Sequence, residues 1–254
     1  MLVSTDGIVL KQRKIANNRR MIVIFSKQYG KISAGTSINE KSRTKAALAL
    51  RPFTYAEYDL FRGRETYSIN SASVRTSYFS IGEEIERFET ASVLINYLDS
   101  ILQEGEAMPG LFDLALECLE TISGAKGSCE TVLYAFIVKS LRMLGVMPEL
   151  GACVGCGRGL GELGTEHPMF SVTSGGIICA KCAAGEKTEG NALIYRPAFD
   201  IIEVFRFFLS RPLGSFAKVS LKGRVAETVR NIISDYISRY LGSDVLRNSI
   251  RLEV

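Results

Sequence analysis

Four cysteines carry the clearest chemistry in this sequence. Cys153-Val154-Gly155-Cys156 and Cys179-Ala180-Lys181-Cys182 are two CxxC pairs separated by twenty-two residues. Each pair can turn two thiolates toward one point, and together they supply the complete tetrahedral shell of a structural Zn²⁺. The spacing favours one zinc ion over an iron–sulfur cluster, redox dithiols or disulfides: a redox pair belongs beside a βαβ pattern, and nothing marks a secreted chain. With all four thiolates acting as ligands, no coordination position is left for a substrate, so the expected contribution of the ion is folding free energy. Met169–Val172 and Gly175–Ile178 predict a short hairpin that returns Cys179 to the first pair, which gives a four-cysteine zinc ribbon.

Basic side chains are the second constellation. Lys11, Arg13, Lys14, Arg19 and Arg20 fall at one strand connection, Lys27 and Lys31 flank the next turn, and Lys41, Arg43 and Lys45 crowd a long loop. These ten can follow a phosphate backbone with little base selectivity. Tyr29, Phe53, Tyr55, Tyr58, Phe61 and Tyr67 are candidates for stacking on bases, although a place in the barrel core is the reading favoured for each. Catalytic chemistry finds little support. No phosphate-cradling glycine motif occurs; the lone histidine, His167, sits beside Glu166 and Pro168 in a loop, and the carboxylates of 83–130 fall on a helical solvent face. No catalytic residue is assigned, and the chain is not read as an enzyme.

Charge is unevenly distributed. Residues 1–82 hold fourteen Lys or Arg against five Asp or Glu, whereas residues 83–130 hold two against eleven. The first region suggests a polyanionic partner and the second a protein partner. The 254 residues are 46% hydrophobic and 23% charged, an ordinary globular composition. No apolar run is long enough to span a membrane and no leader is evident, which argues for a cytoplasmic chain with no membrane partner.

The elements that must position these groups follow from periodicity. Runs at 3–10, 21–25, 31–35, 53–61 and 67–74 predict five short strands, a count that favours a closed OB-type barrel. After Gly82 the period becomes helical: Ile85, Phe88, Ile95, Leu98 and Leu102 form one stripe, and further helices follow at Pro109, Glu130, Pro197 and Val225. The expected class is α+β: a barrel at 1–80, a helical domain at 81–150 and 186–254, and the zinc ribbon inserted at 151–185.

Several segments resemble one known family. G-I-V-L-K-Q-R through M-I-V-I-F-S-K-Q-Y-G-K-I looks like the opening strands of RecO, the bacterial DNA-repair and recombination-mediator family, and R-P-F-T-Y-A-E-Y-D-L-F-R-G-R looks like its fourth strand. L-R-M-L-G-V-M-P-E-L-G-A-C-V-G-C and G-G-I-I-C-A-K-C resemble its two zinc knuckles. Asn17-Asn18 stands where many members carry an acidic residue. The resemblance implies binding of single- and double-stranded DNA, annealing of complementary strands, and work with RecR and the single-stranded-DNA-binding protein to load the RecA recombinase at the nucleoid. A protein-interaction adaptor and an RNA-binding OB-fold protein are the alternatives that the residues themselves leave open.

Overall fold

The computed structural model describes residues 1–15, 19–38, 44–64, 66–126, 129–162, 168–188 and 192–249. Five strands, β1 (Leu2–Lys14), β2 (Arg20–Ser26), β3 (Gly30–Thr36), β4 (Thr54–Arg62) and β5 (Tyr67–Ser77), open the chain, with helix α1 (Lys45–Ala49) between the third and fourth. Their lateral order is β1-β2-β3-β5-β4, and the long β1 pairs with both β2 and β4, which closes the sheet into a barrel. Four junctions are antiparallel. The fifth, β3 to β5, is parallel and rests on only Ala34–Tyr67 and Gly35–Ser68.

Alternation along each strand sorts side chains into two cores. Val9, Ile22, Ile24, Ile32, Ala34, Ala56, Tyr58 and Leu60 fill the interior of the closed sheet, where α1 adds Ala49 and receives a 2.6 Å hydrogen bond from the Tyr58 hydroxyl at the Ala49 carbonyl. Ile8, Leu10 and Phe25 point the other way and pack with the helices. Burial of that outer face fixes which side of the sheet the helices cover.

The helices are α2 (Ile85–Ile101), α3 (Pro109–Gly124), α4 (Glu130–Met143), α5 (Ala180–Thr188), α6 (Ile201–Ser210), α7 (Gly223–Leu241) and α8 (Val245–Ser249). Most of α4 is buried, so it is the central helix against which α3, α6 and α7 pack. Asp200 caps α6, accepting hydrogen bonds from the Ile202 and Glu203 amides, and so the helix starts there and not at Pro197. Of the stripe expected along α2, Ile95, Leu98 and Leu102 are buried, with Thr90, Ala91, Leu94 and Tyr97 beside them, while Ile85 and Phe88 at its N-terminal end are 80% and 50% exposed.

The expected fold class is corrected by this arrangement. Strand count predicts an OB-type barrel; the five N-terminal strands do close into a barrel, and it is a mixed one whose last junction is a two-pair parallel contact. The cysteine segment is not an inserted ribbon. Its strands β6 (Met169–Ser171) and β7 (Gly176–Ile178) are joined by β8 (Ile194–Tyr195) in a three-stranded sheet, and its second CxxC runs into α5. Phe170 and Ile177, paired across β6 and β7, face the main helical core, while Met169 and Ile178 face the cysteines. The segment therefore shares its core with the helices instead of standing apart.

Candidate metal centre and basic rim

The four cysteines of the two CxxC pairs are brought together: the sulfurs of Cys153, Cys156, Cys179 and Cys182 all lie within 4.8 Å of one another. A tetrahedron with Zn–S bonds of about 2.3 Å has sulfurs roughly 3.8 Å apart, so the donor set and its spacing fit the ion. Backbone geometry holds the cradle. The first pair turns on hydrogen bonds from Gly157 N to Cys153 O and from Cys153 N to Arg158 O, both 2.8 Å, and Val154 N bonds Ile177 O on β7 at 2.9 Å. A Cβ on Gly155 would lie 2.8 Å from the Cys182 Cβ and 3.0 Å from its sulfur, so only glycine admits this approach. Cys179 immediately precedes α5 and Cys182 lies in its first turn, where the helix dipole favours thiolate.

Arg158 stands beside these sulfurs. Its Nε donates to Cys156 Sγ and its Nη2 to Cys179 Sγ, each at 3.4 Å. The Arg158 hydrogen bond is the first cause that lowers the Cys156 thiol, to about 6. Cys182 is pushed up to about 12, chiefly by its hydrogen bond with Cys179, as expected when close sulfurs compete for protons. Arg158 was not among the residues read from the sequence; its position two residues after the first pair was the available signal. His167 and Glu166 lie outside the described residues.

The basic residues divide into two groups. Register places the ends of β1 and β3 and the start of β2 at one rim of the closed sheet, where Lys14 pairs with Arg20 and Arg20 with Thr36; the end of β4 and the start of β5 lie beside the start of β1, where Arg62 pairs with Tyr67 and Phe61 with Leu2. Arg13, Lys14 and Arg19 are exposed at the first of these places and Arg62 and Arg64 at the second; sequence reasoning had not selected the latter two although both flank the glycine of an R-G-R turn. The Arg62 guanidinium lies 5.8 Å from the Tyr67 ring centre, and Tyr29 packs 6.3 Å from the same ring. Lys45 is exposed at the start of α1. Lys41 and Arg43, with Asn17 and Asn18, lie outside the described residues.

Arg20 is turned inward and only 7% exposed, donating to Gln12 Oε1 at 2.9 Å and to Ile38 O at 2.8 Å, while the Gln12 amide donates to Leu50 O. Its charge is committed to tying β1, β2 and the end of α1 together. The other group faces the helices. Lys31 Nζ reaches Asp99 Oδ1 at 3.1 Å, Lys11 Nζ lies 3.7 Å from Asp99 Oδ2, and Lys27 Nζ donates to Asp113 Oδ1 at 2.7 Å. The Asp113 hydrogen bond is the main cause that raises the Lys27 ammonium. Three cations of 1–82 are thus paired with two carboxylates of 83–130 within the molecule. No described helix is long and apolar enough to cross a membrane.

Comparison with known proteins agrees with this layout. The family model for the N-terminal part of recombination protein O matches residues 1–78, and the model for its C-terminal part matches residues 82–249. The chain is 26% identical over 241 residues to the DNA repair protein RecO of Alkaliphilus metalliredigens, covering 95% of this chain and 94% of that one. It is 29% identical over 238 residues to the protein of the same name from Desulforamulus reducens, covering 93% and 88%.

Proposed function

This chain belongs to the RecO family, and from that premise we propose that it is a non-catalytic DNA-binding mediator of repair and recombination. It holds single- and double-stranded DNA by phosphate contacts, anneals complementary strands, and works with RecR and the single-stranded-DNA-binding protein to load RecA. The observation that carries the reading is the set of exposed cations at two turns of the closed sheet: Arg13, Lys14 and Arg19 at the rim where β1 ends and β2 begins, and Arg62 and Arg64 where β4 ends. Cations so placed attract a backbone without reading sequence, and the Tyr29–Tyr67 pair offers ring surface beside Arg62.

Cys153, Cys156, Cys179 and Cys182 would hold one Zn²⁺, which supplies cross-linking of the two pairs and no reactive position. Protein partners meet the helical part in this reading. Phe79, Ile85 and Phe88 are 71%, 80% and 50% exposed within ten residues, with Glu83, Glu84 and Glu89 exposed among them, a mixture suited to protein contact.

Fluorescence anisotropy with labelled DNA of unrelated sequences tests the binding mode. Replacing Arg13, Lys14 and Arg19 together by Gln should weaken all sequences by similar factors and reduce the salt slope by about one for each lost phosphate contact. An unchanged affinity and slope would remove the rim from the mechanism. A matched RNA strand that binds at least as tightly would favour the RNA-binding alternative.

A further inference from the structure

We propose that Arg158 guards the metal centre, bridging the two cysteine pairs and holding down the reactivity of the ligating thiolates; this rests on the zinc reading above. A Zn²⁺ bound by four thiolates is a centre of net charge −2. Loss of the ion under electrophilic attack begins at a ligand sulfur that gives its lone pair to an incoming reagent. Exposure decides which sulfur is attacked first. Cys153 and Cys179 are 2% and 9% exposed, whereas Cys156 is an exposed residue.

Arg158 meets that exposed ligand with its Nε and reaches Cys179 of the other pair with a second nitrogen, each contact 3.4 Å long. Its own carbonyl accepts from Cys153 N at 2.8 Å, so the backbone that anchors the first knuckle also aims the guanidinium. An N–H directed at a sulfur lone pair and a permanent positive charge both draw electron density from the thiolate. Outer partners of metal ligands commonly change affinity by about 10- to 100-fold. Arg158 is a positioning residue in this sense, and its fork is the part lysine cannot reproduce.

The test uses the full-length, zinc-loaded chain. Iodoacetamide is added, each alkylated sulfur forming a C–S bond with loss of iodide, and released zinc is followed with a metallochromic indicator. Arg158→Met should release zinc about 10-fold faster than the parent or more, with Arg158→Lys between them because it restores charge without the bridge. In cadmium-loaded protein the ¹¹³Cd resonance should move in Arg158→Met, a signature that a role confined to loop folding would not give. Zinc-loaded variants that match the parent in release rate and cadmium shift would overturn this inference and leave the metal reading intact. A parent chain that binds no zinc would overturn both. If Arg158→Met does not load metal, the comparison of Arg158→Lys with the parent decides, and equal rates count against the bridge.

Discussion

The ammonium of Lys31 is held by both the side chain and the main chain of Asp99, at 3.1 Å from Oδ1 and 2.6 Å from the carbonyl oxygen. Lys31 comes from the most basic part of the sequence and Asp99 from the most acidic, so the contact turns a charge contrast along the chain into a junction between sheet and helices. Asp99→Asn should lower stability by about 1 kcal/mol, since the pair is only partly shielded, and raise DNA affinity at low salt by releasing Lys11 and Lys31. Chemical denaturation and anisotropy check the two effects; a variant with unchanged midpoint and weaker DNA binding contradicts the account.

The same junction contains a close backbone approach. Gly30 has φ +66°, and a Cβ there would lie 2.1 Å from the Glu106 carbonyl oxygen. Gly105 has φ +77° but open space around it. Gly30→Ala should therefore cost roughly 3 kcal/mol or more, combining backbone strain with a clash against main chain, while Gly105→Ala should cost about 1 kcal/mol. Equal unfolding midpoints for the two variants would show that the sheet does not dock on the 102–108 connection as described.

Neighbouring arginines should behave in opposite ways. Arg20→Ala removes a buried guanidinium and leaves Gln12 and the Ile38 carbonyl short of a donor, which should cost about 2–3 kcal/mol. Arg19→Gln, at an exposed position, should leave stability within about 0.5 kcal/mol and act on DNA binding instead. Melting curves and salt titrations of both proteins separate these roles.

Metal removal should be felt beyond the cysteines. Phe170 packs 5.8 Å from Phe205 and 6.0 Å from Tyr236, and the Tyr240 hydroxyl donates to Thr173 O at 3.2 Å. Cys179→Ser, or a strong chelator, should lower the melting temperature of the helical part as well as abolish zinc binding. A helical transition that is indifferent to metal would mean that the shared core transmits nothing.

Much of this was legible in the residues. The CxxC spacing identified the cysteines that converge, because a tetrahedral donor set needs little more than two tight turns. Strand periodicity placed all five N-terminal strands. What escaped it was tertiary: Ile85 and Phe88 share the apolar stripe of the buried Ile95 and Leu98, yet at the N-terminal end of α2 they remain exposed. Arg20 and Arg19 are indistinguishable by type, and only the alternation of a closed sheet turns one inward. Lys27 and Lys31 stood out as free cations because their partners, Asp113 and Asp99, are more than sixty residues away.

The junction between β3 and β5 sets where the closed sheet gives way. Its two residue pairs stand against long antiparallel ladders on every other side. Deuterium should therefore enter the amides along this seam before those of the β1–β2 or β4–β5 ladders. Parting it converts a cylinder into an open sheet with β3 and β5 as free edges, without breaking any antiparallel pair.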